Sequence, residues 1–406
     1  MEKTKLINFC DRAILFSIYG IAFYLPISKA IIEICSSIAI FCYIIKKIVQ
    51  RDGITKTKIN YAILIYLAIC FISIFSSVNI KISFQSFLGK VLQNIALFFA
   101  VADTLNSDRR IKNFIYISFL SYLLLGVDGM YQYFTHKEFI RNRPYFEIPR
   151  IHATFSSAND YGCYLATAIP FTLSCFFARN NFKKLLRFAF AVLFLLLLTC
   201  LMLTVSRGAW FALMVSALFM SIWIRALGIV FLLFGIVIII AHQFFFPYLK
   251  ERLQNLFVFF DPSSIDRKMI WQAAWKMIMA SPLIGLGLGT FMFNFEKFVV
   301  KGYPYSIPYA HNCYLQIAAE TGIIGLFSFL SILILFFYYG IRAINTRKKS
   351  FSWYILLSSL AAVLSYAVQI GVDTFFYSLD LGTLFWLLLA LGAATMKNIE
   401  LENGKI

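Results

Sequence analysis

The stretch AHNCYLQIAAETGIIGL, from Ala310 to Leu326, opens with His311 and Asn312, carries Glu320 midway, and is otherwise apolar. An imidazole accepts a proton near neutral pH, so the chemistry it offers is that of a general base. Two arginines upstream offer a different chemistry. Arg207, in LTVSRGAW, interrupts a nearly continuous apolar run from Phe188 to Ile224. A guanidinium is always charged and presents a fork of donors matched to phosphate oxygens. Placing one at depth in hydrocarbon costs on the order of 3 kcal/mol or more unless it is paired or solvated. Two readings of Arg207 stand: an anchor for a phosphate group, or an interfacial arginine whose head reaches the lipid headgroups.

Arg267 lies in PSSIDRKMIWQAAWKMIMASP, residues Pro262 to Pro282, where two prolines bracket a helical pattern with Ser264 as the expected N-cap. Arg267, Trp271 and Trp275 recur every fourth residue and share a face, while Ile270, Ala274 and Ile278 form an apolar side. The pattern predicts a helix lying along the outer membrane surface, with its tryptophans at headgroup depth. After Pro282, Gly285, Gly287 and Gly289 have the wrong spacing and no βαβ context for a dinucleotide loop; they predict a tight turn or a close backbone approach. If a helix begins near His311, then Asn312, Gln316 and Glu320 share one face, and Glu320 points nearly opposite to His311. A His–Glu dyad within that helix is therefore not expected. His311 must take its partners from outer loops, or else stand as a solvated surface histidine.

Other polar groups lie at the mouths of apolar runs: Asp128, Asn159 and Asp160 in FSSANDYGCYLA, Asp373 and Asp380. No spacing of His, Cys, Asp or Glu suited to a metal is present, and no metal or other cofactor is expected. The eight cysteines form no CxxC pair, and most fall inside apolar runs, which reads as small buried hydrophobes.

The elements that must position these residues follow from composition. Of 406 residues, 61% are hydrophobic and 14% charged, too little charge for a soluble protein of this size. The apolar runs are continuous rather than alternating, which predicts an all-α polytopic membrane protein and not a β-barrel. About twelve transmembrane helices are expected, near residues 13–27, 29–46, 60–78, 88–104, 113–134, 156–178, 186–204, 208–224, 226–246, 312–340, 353–372 and 380–396. This divides the chain into an N-terminal transmembrane bundle over 1–245, a long outer loop over 246–311 carrying the surface helix, and a C-terminal bundle over 312–406. No cleaved signal peptide is read, since many further apolar runs follow the first.

Alternate loops are basic, with Lys46, Lys47, Arg51, Lys56 and Lys58 in one, Arg109, Arg110 and Lys112 in the next, and Arg179, Lys183, Lys184 and Arg187 in a third. These belong to the cytoplasm together with both termini. The net charge of +18 is then mostly cytoplasmic loops facing anionic lipid, and no nucleic-acid partner is implied. Two outer loops break the bias: 135–155, with Lys137, Arg141, Arg143 and Arg150, and 246–311, with Lys250, Arg252, Arg267 and Lys301 among others. Either they meet an anionic ligand, or they are long loops that cross regardless of charge.

TVSRGAW, DRKMIWQAAWKMIMASPLIGLGLGTF and AHNCYLQIAAETGIIGL occur here in the order seen in bacterial O-antigen ligases and the related O-antigen polymerases, and TFSSANDYGCYL is similar to that family as well. The resemblance is strongest over residues 150–330. It implies a membrane glycosyltransferase of the bacterial inner membrane that works without metal on the periplasmic face. The implied donor is a glycan on undecaprenyl diphosphate, and the implied acceptor is lipid A–core or another glycan. Matched motif by motif, Arg207 and Arg267 would hold the diphosphate and His311 would activate the acceptor hydroxyl, with Arg150, Asn159, Asn312 and Glu320 in supporting places. A polymerase acting on lipid-linked repeat units, and a flippase of lipid-linked sugars, remain the competing expectations.

Overall fold

A computed structural model describes residues 2–142, 150–228, 262–299, 309–345 and 349–402. Among these residues every element is helical. The helices are α1 (Glu2–Tyr24), α2 (Lys29–Gln50), α3 (Asn60–Ile72), α4 (Ile80–Ser86), α5 (Gln93–Thr104), α6 (Asp108–Thr135), α7 (Ala158–Phe177), α8 (Lys184–Leu203) and α9 (Arg207–Ser221). After the gap come α10 (Pro262–Ala280), α11 (Phe291–Phe298), α12 (Cys313–Ile344), α13 (Phe351–Gln369) and α14 (Leu379–Glu402). A π-helical stretch, Phe87–Leu92, joins α4 to α5 in one continuous span.

Among the described residues, seven helical stretches are long and apolar enough to cross a membrane: those around α1, α4–α5, α6, α8, α12, α13 and α14. The segments containing α3 and α9 are apolar but shorter. Helices α2 and α7 occupy two further expected spans without meeting the same measure; α2 carries charges at both ends and α7 opens on Asn159 and Asp160. The expected span at 226–246 lies outside the described residues from 229 onward, as do the 245/246 boundary, Arg143, Lys250, Arg252 and Lys301. The exterior is apolar: Phe16, Phe41, Leu185 and Phe327 are each more than 60% exposed. Such surface is stable only when a non-aqueous solvent covers it.

The centre of the bundle is α7, α13 and α14, which pack on one another and are buried almost throughout. All eight cysteines are free thiols, seven of them buried, in keeping with their reading as packing residues. The basic end of the bundle holds a network of ion pairs. Lys46 bonds Asp11 and Asp103, each at 2.8 Å; Lys47 bonds Asp103 at 3.0 Å; and Arg110 pairs with Asp11. These three cations are engaged in ion pairs between α1, α2, α5 and α6, because Asp11 of α1 and Asp103 at the end of α5 meet beside them.

Helix α10 packs against protein. Its apolar side is the one the spacing picks out, with Ile270, Ala274 and Ile278 buried. That side packs into a second core with Phe291 and Phe295 of α11 and Ala318 and Ala319 of α12. The helix begins at Pro262, so Ser264 is inside its first turn and not its N-cap; proline's fixed φ suits a first helical position.

The glycine-rich turn after α10 is a clamp on α12. Ile323 N–H would normally donate to Ala319 O one turn back; it donates instead to Pro282 O at 2.7 Å. The carbonyls so released accept from the loop, Ala319 O from Leu286 N–H and Glu320 O from Gly287 N–H. Gly322 makes the break, at φ 73° and ψ 178°, a region open essentially to glycine alone. A Cβ there would stand 2.0 Å from Leu283 O. Gly322→Ala is therefore expected to cost more than ~3 kcal/mol, since strain and a backbone clash add. A fall in the thermal unfolding midpoint of the purified protein would register it; an unchanged midpoint would contradict the clamp.

Candidate functional site

The candidate site forms at one end of the bundle, where the N-termini of α7, α9 and α12 meet the connection between α13 and α14. His311 is not the first helical residue. It precedes the helix in the left-handed region, φ 46°, and Asn312 is the N-cap, its side chain accepting from Leu315 N–H at 3.1 Å. Asn312 thus supports the site by starting α12 cleanly after the histidine. Two further non-glycine residues near the site, Ala153 and Val205, also have positive φ, 48° and 50°. For a β-branched valine this is strained backbone, which persists only where surrounding contacts impose it.

His311 Nδ1 lies 3.2 Å from Asp373 Oδ1. A carboxylate only accepts, so Nδ1 carries the proton and Nε2 is left as an acceptor. The histidine side chain is 41% exposed and the aspartate 16%, which leaves the ring accessible and its partner sheltered. Asp373 is itself fixed: Thr374 N–H donates to Oδ1 at 2.9 Å, Cys313 Sγ–H to its carbonyl at 3.3 Å, and Asn159 Nδ2 to Oδ2 at 3.3 Å. Asn159 Oδ1 in turn accepts from Arg150 Nη2 at 2.8 Å, and Arg150 Nε donates to Thr204 O at 3.0 Å. The result is a polar chain Arg150–Asn159–Asp373–His311 built from four separate segments.

Burial pushes the Asp373 carboxyl upward, but the hydrogen bond and charge of His311, the Thr374 amide and the charge of Arg267 together hold it below the usual carboxylate range. Arg267 therefore stands close enough for its charge to reach the His311–Asp373 pair. Helix α10 is fixed there by Trp271, whose Nε1 donates to Ala310 O at 2.9 Å, next to His311. Arg207 is the first residue of α9 and part-buried. Its neighbour Gly208 faces Val372, the residue before Asp373, where a Cβ would come within 3.1 Å of Val372 Cγ2.

Arg150 is held by its surroundings as firmly as by its own bonds. Gln132 Oε1 accepts from His152 N–H and Ala153 N–H, both at 2.8 Å, and Ile151 N–H donates to Leu203 O. Asp128 pins the preceding turn by accepting from Phe139 and Ile140 N–H.

Glu320 lies elsewhere. It is fully buried and accepts from Gly289 N–H (2.8 Å), Phe291 N–H (3.3 Å), Gln316 Nε2 (3.2 Å) and Tyr377 O–H (3.1 Å). With that many donors it is a joint between the glycine loop, α11 and α12. The residue that sequence reasoning did not assign is Asp373. It was visible only as an acid at the mouth of a span. Among the described residues no cluster of three or more His, Cys, Asp or Glu side chains is arranged to hold a metal ion.

Residues 192–330 match the family model described as O-antigen ligase. Arg207, Arg267 and His311 lie inside that segment; Arg150, Asn159 and Asp373 lie outside it. No curated protein matches the chain.

Proposed function

We propose, from the match of residues 192–330 to the O-antigen ligase family model, that the chain transfers a glycan from undecaprenyl diphosphate to an acceptor hydroxyl at the periplasmic face of the inner membrane. The observation that carries this reading is His311 seated on Asp373, with Trp271 of α10 bonded to the neighbouring Ala310 O. A sugar diphosphate leaves readily once its developing charge is stabilised, and preoriented guanidinium groups in a sheltered site supply that stabilisation. Arg207 and Arg267 hold the diphosphate. The acceptor oxygen attacks the anomeric carbon, the bond from that carbon to the diphosphate oxygen breaks, and the hydroxyl proton passes to His311 Nε2. Asp373 keeps the ring in the tautomer that can take it and stabilises the imidazolium that forms. The polyprenyl tail remains in lipid beside the bundle.

The acceptor is lipid A–core, as in a ligase. Deleting the gene and resolving the cellular glycans tests this. A lost ligase leaves full-length lipid-linked polymer unattached; single repeat units on the acceptor would instead make the protein a polymerase.

Asp373→Asn is the test of the pair. The amide no longer demands a proton on Nδ1 or stabilises the imidazolium. Turnover is expected to fall about tenfold or more, short of the ~10⁴-fold seen for a fully buried triad aspartate, with little change in donor KM. An unchanged kcat would reduce Asp373 to a structural cap of the 371–378 connection.

A further inference from the structure

We propose that the cavity between the start of α3 and the last turns of α12 and α14, at the end of the bundle opposite His311, is a binding site for one anionic glycerophospholipid. The cavity measures about 380 Å³. Its mouth carries Lys56, Lys58 and Lys397 against a single carboxylate, Glu400. Lys58 Nζ pairs with Glu400 at 3.2 Å, which leaves Lys56 and Lys397 without a carboxylate partner among the described residues. Behind the lysines the lining is apolar, with Phe336 and Met396 packed closed at its base.

Lysines at the rim beside exposed apolar surface on α3 suit one chemistry. A free anion gains nothing from the apolar surface, and a neutral lipid gains nothing from the lysines. A phosphodiester headgroup with an acyl chain beneath it satisfies both. The face of α3 beside the opening is apolar and solvent-exposed, Tyr61 by 84% and Ile65 by 55%, so a lipid can enter sideways from the bilayer. The alternating basic loops place this end in the cytoplasm, where basic pockets between spans meet anionic headgroups. The proposal does not depend on the transferase reading.

Native mass spectrometry of the full chain in detergent, titrated with phosphatidylglycerol or phosphatidylcholine of the same acyl chains, tests it. Phosphatidylglycerol is expected to be retained and phosphatidylcholine lost. The double variant Lys56→Gln/Lys397→Gln, which spares the Lys58–Glu400 pair, should weaken phosphatidylglycerol binding about tenfold or more. Lys183→Gln/Lys184→Gln removes the same charge from another basic loop and should leave binding unchanged; its monodisperse elution alongside the first variant verifies folding of both. Equal loss in both variants, no loss in either, or equal retention of phosphatidylcholine would overturn the proposal. So would displacement of the lipid by millimolar glycerol phosphate, which would identify a site for the phosphate alone.

Discussion

His311→Ala is expected to lower single-turnover transfer by ~10²–10⁴-fold, the usual contribution of a positioned base, while donor binding stays close to normal. The two effects separate because different groups carry them. The ring sits on Asp373 with Nε2 as its acceptor, whereas the proposed mechanism assigns the diphosphate to arginines on α9 and α10. Asp373 does not substitute for the ring. Its carboxyl is held below the ordinary range, so the charge it presents is fully present above the unfolded value near ~3.9 and is lost only as pH falls through the lower folded value. A loss of rate on acidification toward pH 6 therefore cannot come from Asp373. If His311→Ala keeps substantial transfer with the same acid limb as wild type, another group is the base.

Arg207→Lys should weaken donor binding by about 10–100-fold, equivalent to ~1.5–3 kcal/mol for a charge-assisted hydrogen bond, with accumulation in the membrane unchanged. An ammonium keeps the charge but not the planar fork, so geometry and charge are tested apart. Arg207 opens α9, and Ser206 before it is buried; a lysine fits the same backbone. Near-normal binding by the lysine variant would make Arg207 a positional charge. Arg267→Lys provides the parallel case on α10, where the neighbouring Trp271–Ala310 contact fixes the helix independently of the arginine.

Much of this arrangement is legible in the chain, and what is not has a physical reason. The apolar runs mark the helices because hydrocarbon demands an unbroken hydrogen-bonded backbone, so composition alone places α6, α8, α12, α13 and α14. Arg207 and His311 stand out because polar groups are costly where they sit. The break at Gly322 does not show, since the sequence stays apolar and helix-favouring on both sides of it; only the loop that inserts there, residues 282–287, makes it favourable. The glycines of that loop announce a turn, but not that its target is a helix one element away. Asp373 lies 62 residues beyond His311, and nothing local joins them. Their meeting is set by α13 and α14 packing at the centre, which periodicity cannot report. The same holds for Lys46 and Lys47: charge counting assigns their side of the membrane, while their pairing with Asp11 and Asp103 depends on α1, α2 and α5 converging.

The central claim is that this chain catalyses glycosyl transfer from a lipid-linked diphosphate. It is tested most directly by reconstituting the purified protein in nanodiscs, which hold no ion gradient, with undecaprenyl-diphosphate-linked glycan and lipid A–core. Formation of the glycan–acceptor product, with release of undecaprenyl diphosphate and near-complete loss of both in His311→Ala, is the result expected. No product in nanodiscs, together with translocation of the intact lipid-linked glycan across the bilayer of sealed vesicles, would contradict it and make the protein a transporter of that substrate.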